Sequence, residues 1–276
     1  MSFAALPYAV LLLLVESAAG LVGVSMYVSL RPDVPRGLPR LGAWTALFVV
    51  LGAVWMAAAV AWPTSVDTYV LSTRWVGPLR GALVAAAVLT FGWLVSLYGG
   101  WAARRLLGGA AAAAAAAAMV FVSAVVAGPT WGYAGALLSL LAGAASVGAA
   151  TLAMSQGHWY LTNAHLPARP LRELTMLLVG ALVLEIAVMA LNLMLPARHV
   201  PTPQDALVTG LSSNPAFYLR VGVGLLFPLV LAYLAWRSAG ERAMMSATGL
   251  LYIALGAVLA GEVLARGLLF VTAVAV

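Results

Sequence analysis

The chain has 276 residues, of which 64% are hydrophobic and only 8% charged. A water-soluble domain carries roughly 25% charged residues, so a soluble enzyme, a disordered chain and a secreted disulfide scaffold are excluded, and a mean hydropathy of +1.05 places the chain in a bilayer. The net charge of +6 comes from fourteen arginines, with no lysine, against eight acidic residues; the arginines sit between apolar runs, which is how a membrane protein sets its orientation and not the footprint of a nucleic-acid partner.

A helix needs about 20 apolar residues to cross about 30 Å of hydrocarbon. Eight stretches qualify, at roughly 5–30, 41–63, 79–101, 106–127, 130–154, 173–195, 217–236 and 246–274. The first has a long apolar run, no basic segment before it and Glu16 in its middle, so it reads as a span and not as a cleavable signal peptide. The fourth holds nine consecutive alanines, Ala110 to Ala118. That run is either a surface of small residues for close central packing or low-complexity drift in a GC-rich genome. Three connections are long: 31–40, 155–172 and 196–216, the last with room for one short helix from Gln204 to about Leu211. The expectation is an all-α, polytopic bundle of about eight transmembrane helices, forming one membrane domain over 1–276 without an obvious internal repeat.

Orientation follows from the loop arginines. Loops after the odd-numbered spans hold Arg31, Arg36, Arg40, Arg104, Arg105, Arg169, Arg172, Arg237 and Arg242; the other side holds Arg74, Arg80, Arg198 and, at a helix start, Arg220. Nine against four puts the odd-numbered loops in the cytoplasm and both termini outside, in a multi-pass protein of the bacterial cytoplasmic (inner) membrane.

Four ionisable residues lie at membrane depth: Glu16, Glu185, Glu262 and Arg266. A charge at a helix centre costs roughly 2.5–3.5 kcal/mol on insertion scales, so each must face the bundle interior or a wet cavity. Glu262 and Arg266 are four apart and can pair on one face. Glu16 and Glu185 have no partner in their own spans, although Asn192, seven residues beyond Glu185, shares its face. These groups either form structural pairs and protonated acids, or line a polar site for a substrate, a proton or a quinone head group.

After the fifth span comes Gly157-His158-Trp159-Tyr160-Leu161-Thr162-Asn163. Trp and Tyr at a helix end anchor the interface; equally, an imidazole among aromatics at the membrane edge can bind a quinone carbonyl and pass a proton. No histidine lies within a span and there is no cysteine, so neither haem nor a bound metal is expected in this chain.

The eighth span reads Leu259-Ala260-Gly261-Glu262-Val263-Leu264-Ala265-Arg266-Gly267-Leu268-Leu269-Phe270. It resembles the last helix of the membrane-anchor subunits of dimethyl sulfoxide reductase and polysulfide reductase-type enzymes, where an A-G-E-x-x-x-R-G-x-x-F/Y pattern closes an eight-helix chain. Trp62-Pro63 through Arg74-Trp75-Val76-Gly77 looks like that family's stretch between the second and third helices. Together the matching stretches cover about a sixth of the chain. Residues 81–90 (GALVAAAVLT) lack the acidic residue associated there with quinol oxidation, and the GHWYLTN segment is not part of the family pattern.

The resemblance implies an anchor that holds an iron–sulfur or other redox subunit and exchanges electrons with menaquinone or ubiquinone. The expected function is thus a quinone-interacting membrane subunit of a respiratory complex, not an enzyme alone. Glu262 and Arg266 would shape the site, Glu185 or Glu16 would carry protons, and His158, Trp159 and Tyr160 would touch the head group, with Asn192 beside Glu185. The rivals are a proton- or cation-coupled transporter and a purely structural accessory subunit.

Overall fold

The computed structural model describes residues 4–66, 69–100, 102–127, 131–163, 166–194 and 211–276. Among them, eight helices are long and apolar enough to cross a membrane. They are α1 (Leu6–Ser29), α2 (Gly37–Ala59), α3 (Val76–Gly99), α4 (Arg104–Val126), α5 (Trp131–Thr162), α6 (Arg169–Met194), α7 (Pro215–Gly240) and α8 (Met244–Thr272). The chain is an all-α polytopic bundle, as its composition requires.

Local chemistry explains several helix ends. Pro7 and Pro215 sit in first turns, where a missing N–H costs nothing. Asn214 caps α7 by accepting the Ala216 N–H at 3.0 Å. Gly100 stops α3 in the left-handed conformation. One boundary departs from the sequence expectation. Residues 155–162 are not a connection but the last two turns of α5, because no proline interrupts the chain before Pro167; His158 therefore lies within a span, which corrects the expectation that no histidine does.

Between α2 and α3, Ser65–Val66 (β1) pairs antiparallel with Tyr69–Val70 (β2). The short helix expected at 204–211 lies outside the described residues, apart from Leu211, which opens a single 3₁₀ turn.

The helices associate as two groups of four with the same internal order. In the first, α1 lies against α2 and α4, and α3 lies between α2 and α4; in the second, α5 lies against α6 and α8, and α7 lies between α6 and α8. The groups meet mainly along α1 and α5, flanked by α1–α8 and α4–α5 contacts. Four crossings return the chain to its starting side, so both halves run the same way through the membrane. The sequence shows no repeat at the residue level; this one exists in the packing.

Small residues permit the closest approach. A Cβ on Gly20 of α1 would overlap the Ala144 backbone of α5, and one on Gly148 would overlap the Gly20 carbonyl. The alanine run of α4 is not central: Ala111, Ala115 and Ala118 are buried, while Ala113 and Ala116 are exposed.

The chain ends share one end of the bundle. There Tyr8 at the start of α1 touches Phe270 near the end of α8, and its hydroxyl donates to Ala61 O beyond α2 at 2.6 Å. Arg31, after α1, meets Glu173 at the start of α6 (3.0 Å) at the opposite end.

Candidate functional site

Five charged side chains meet inside the second half. Arg266 on α8 holds Glu16 of α1 with both arms, Nε to Oε2 at 2.7 Å and Nη2 to Oε1 at 2.8 Å. The same Nη2 donates to Glu262 Oε2 at 2.6 Å, and Nη1 donates to Ser139 Oγ of α5 at 3.1 Å. Arg220 on α7 donates through Nη2 to Glu185 Oε2 of α6 at 2.5 Å. Its Nη1 lies 2.9 Å from Glu262 Oε1, an ion contact without hydrogen-bond alignment. The result is one alternating row: Glu185, Arg220, Glu262, Arg266, Glu16. No side chain in it is more than 2% exposed. In so dry a place the groups cannot be screened by water, and each depends on the next.

Backbone features make room for this row. The i, i+4 spacing puts Glu262 and Arg266 on one face of α8. Gly143 of α5 lies under three of the head groups: a Cβ there would overlap Glu16 Oε1 and come within 2.6 Å of Glu262 Oε2 and 2.8 Å of Arg266 Nη2. Gly224 and Gly261 bring α7 and α8 together, a Cβ on either reaching 2.5 Å from the other's Cα. Arg220 opens a π-helical segment, Arg220–Leu226, within α7. The wider turn changes the facing of the residues that follow, and such segments recur at functional sites.

The sequence-derived candidates divide into three groups. Glu262 and Arg266 do pair, but not as the isolated pair their spacing suggests: Arg266 also serves Glu16, and Glu262 also faces Arg220. Glu16 and Glu185, unpartnered within their own spans, find partners on α8 and α7. Asn192 does not serve Glu185. Its Nδ2 donates to Gly135 O (3.3 Å) and Ala275 O (2.6 Å), tying the start of α5 and the segment after α8 to the end of α6.

Arg220 is not among the sequence-derived candidates, because its place at a helix start reads as external. The available signal is Asn214-Pro215, a capping pair that starts the helix two residues before the expected 217 and so carries Arg220 about one and a half turns inside it.

A second polar place lies fifteen residues further along α5 from Gly143, about 22 Å at 1.5 Å per residue. There the Tyr252 hydroxyl and His158 Nδ1 are 3.1 Å apart. They border a cavity of about 350 Å³ lined by Leu41, Met154, Ser155, His158, Trp159, Thr162 and Tyr252. Trp159 also packs its ring against Gly37 at the start of α2.

Tyr160 does not join this cavity, correcting the grouping expected from sequence. One residue on, the helix has turned it inward, and its buried hydroxyl donates to Pro167 O in the following connection. His165 and His199 lie outside the described residues, and among the described residues no group of His, Cys, Asp and Glu could hold a metal ion.

The row of charges can hold or pass protons; the cavity can take a flat, hydrogen-bonding molecule. Neither a protein-family model, nor a curated protein, nor a solved structure matches the chain.

Proposed function

We propose that the chain is a quinone-interacting membrane subunit of a bacterial electron-transfer complex in the cytoplasmic membrane, with both termini outside and an iron–sulfur or other redox subunit as its partner. The observation that carries this reading is the His158–Tyr252 cavity. A quinone head group needs a donor for a carbonyl oxygen and flat apolar walls. In the tautomer in which Tyr252 donates to Nδ1, the imidazole proton sits on Nε2, free to be given to a carbonyl. Trp159, Leu41 and Met154 supply the walls, and the cavity opens on the outside of the bundle, where an isoprenoid tail would lie in lipid. The likeness of the eighth span to reductase anchor subunits points the same way.

The orientation rests on the loop arginines. Without Arg220, now inside α7, the tally is nine against three. Cysteines placed at Arg36 or Arg104 should be shielded from an impermeant thiol reagent in intact cells, and one at Arg74 should react; the reverse pattern would contradict the orientation.

The function is tested by photolabelling the purified chain in nanodiscs with an azidoquinone. Labelling should concentrate at residues 154–162 and Tyr252, compete with unlabelled menaquinone or ubiquinone, and fall at least tenfold in His158→Phe. Labelling spread evenly over the lipid-facing surface would overturn the reading.

One observation favours a second reading, a proton- or cation-coupled transporter. The charged row joins α1 to α6, α7 and α8, so it couples the two halves of a duplicated bundle, and transporters use such repeats. Proton uptake by proteoliposomes driven by a solute gradient, with no quinone labelling at His158, would establish it instead.

A further inference from the structure

The buried row contains three carboxyl groups and only two guanidinium groups. Among the described residues no other charged side chain reaches it. With every group ionised the row would carry a net charge of −1 at positions between 0% and 2% exposed. An uncompensated charge in such a place is costly enough that the group neutralises instead. Arginine stays charged, so the compensation must arrive as one positive charge.

The contacts locate it. Glu16 accepts two hydrogen bonds from Arg266. Glu262 stands between both guanidinium groups. Glu185 receives one hydrogen bond, from Arg220, and its Oε1 is buried without a hydrogen-bond partner among the described residues. Glu262 Oε1 is likewise without one, and Glu185 and Glu262 sit on the two terminal nitrogens of the same Arg220 guanidinium, so their carboxyl groups are neighbours; Glu16 also neighbours Glu262, but both of its oxygens are taken by Arg266. The groups facing Glu185 are Arg220 of α7, Glu262 of α8 and the Ser146 hydroxyl of α5, which itself donates to Gly143 O at 2.9 Å. Two neighbouring carboxyl groups, each with an idle oxygen, repel when both are ionised. One proton between them removes the repulsion and satisfies both oxygens.

We infer that the row is a proton-binding site holding one proton at neutral pH, carried by Glu185 and shared toward Glu262. This inference does not rest on the quinone reading; it follows from the charges and contacts alone. It also gives the two arginines separate tasks. Arg266 joins the halves through Glu16, and Arg220 steadies the carboxyl pair that holds the proton. A monovalent metal cation could balance the same charge, so the test must separate the two.

The measurement is infrared spectroscopy of the full-length protein in nanodiscs at neutral pH, read at the carboxylic-acid C=O stretch, which ionised carboxylates lack. The wild type should show one such band per chain, shifted in D₂O and unchanged by sodium or potassium. Glu185→Gln mimics the protonated form, so it should fold in wild-type yield and lose the band. A band absent from the wild type, or removed by added sodium, would overturn the proton assignment. A band that survives in Glu185→Gln would overturn its placement. If Glu185→Gln failed to fold, a pH titration of the wild-type band would decide: persistence through neutral pH supports the site, and loss well below it contradicts it.

Discussion

The two halves of the molecule share one helix arrangement and differ in what fills it. Between α1 and α4 the interior is hydrocarbon, with Leu12, Val15, Leu79, Leu83, Met119 and Val122 in one cluster. Two of its buried hydroxyls turn back on their own helices, Ser96 to Trp93 O at 2.6 Å and Ser123 to Met119 O at 2.8 Å, while those of Ser25 and Thr90 have no hydrogen-bond partner among the described residues. Between α5 and α8, at the end of the bundle where the chain terminates, the interior holds five charges, one borrowed from α1. The first half shows that this packing needs no charge to hold four helices together in a bilayer. A four-helix arrangement of this kind therefore does not by itself require such a row, which is why we propose a role for it beyond packing.

The comparison breaks most visibly at Arg266. Arg266→Leu strands the buried Glu16 carboxylate and leaves Glu262 with Arg220 alone, and should cost about 3–5 kcal/mol, read as lost folded yield and a lowered Tm in detergent. No single substitution on α2, α3 or α4 can strand a buried charge. A stable Arg266→Leu variant would show that the row is dispensable.

Glycine gives a second contrast. Gly143→Ala drives a methyl into three charged head groups and should cost about 1–3 kcal/mol as the row shifts. Gly109→Ala on α4 meets nothing within 4 Å and should be neutral or slightly stabilising, since alanine favours helix by about 1 kcal/mol over glycine. Equal effects at the two sites would erase the distinction between the halves.

The smallest effects should be the same on both sides. Tyr69 donates to Val126 O at 2.5 Å in the first half, and Tyr160 donates to Pro167 O in the second. Tyr69→Phe and Tyr160→Phe should each cost about 0.5–1.5 kcal/mol by equilibrium unfolding. A markedly larger loss at Tyr160 would mean that polarity in general, and not charge, sets the second half apart.

Much of this was legible in the sequence, and what was missed has physical causes. Apolar runs of about 20 residues announced all eight helices because lipid permits few other solutions. The Glu262–Arg266 pair was legible because i, i+4 spacing is local. Its connection to Glu16 was not, since the partners are 250 residues apart and no local pattern carries such a contact. Arg220 was hidden by a boundary two residues late. His158 and Trp159 stood out through their chemistry, but only the helix phase could separate Tyr160 from them. The duplicated arrangement was invisible because lipid-facing and buried positions both accept Ala, Leu and Val, so two halves can share packing without sharing residues.

The central claim, that the five charges act as one unit holding one proton, is tested most directly by a double-mutant cycle between its ends. Glu16 and Glu185 share no hydrogen bond, and Glu16→Gln or Glu185→Gln alone leaves two carboxylates facing two guanidinium groups. Both together leave one guanidinium uncompensated. Measured by equilibrium unfolding in detergent, the double variant should be less stable than the sum of the singles by about 1–3 kcal/mol. Losses that add to within about 0.3–0.5 kcal/mol, as independent sites do, would contradict the account.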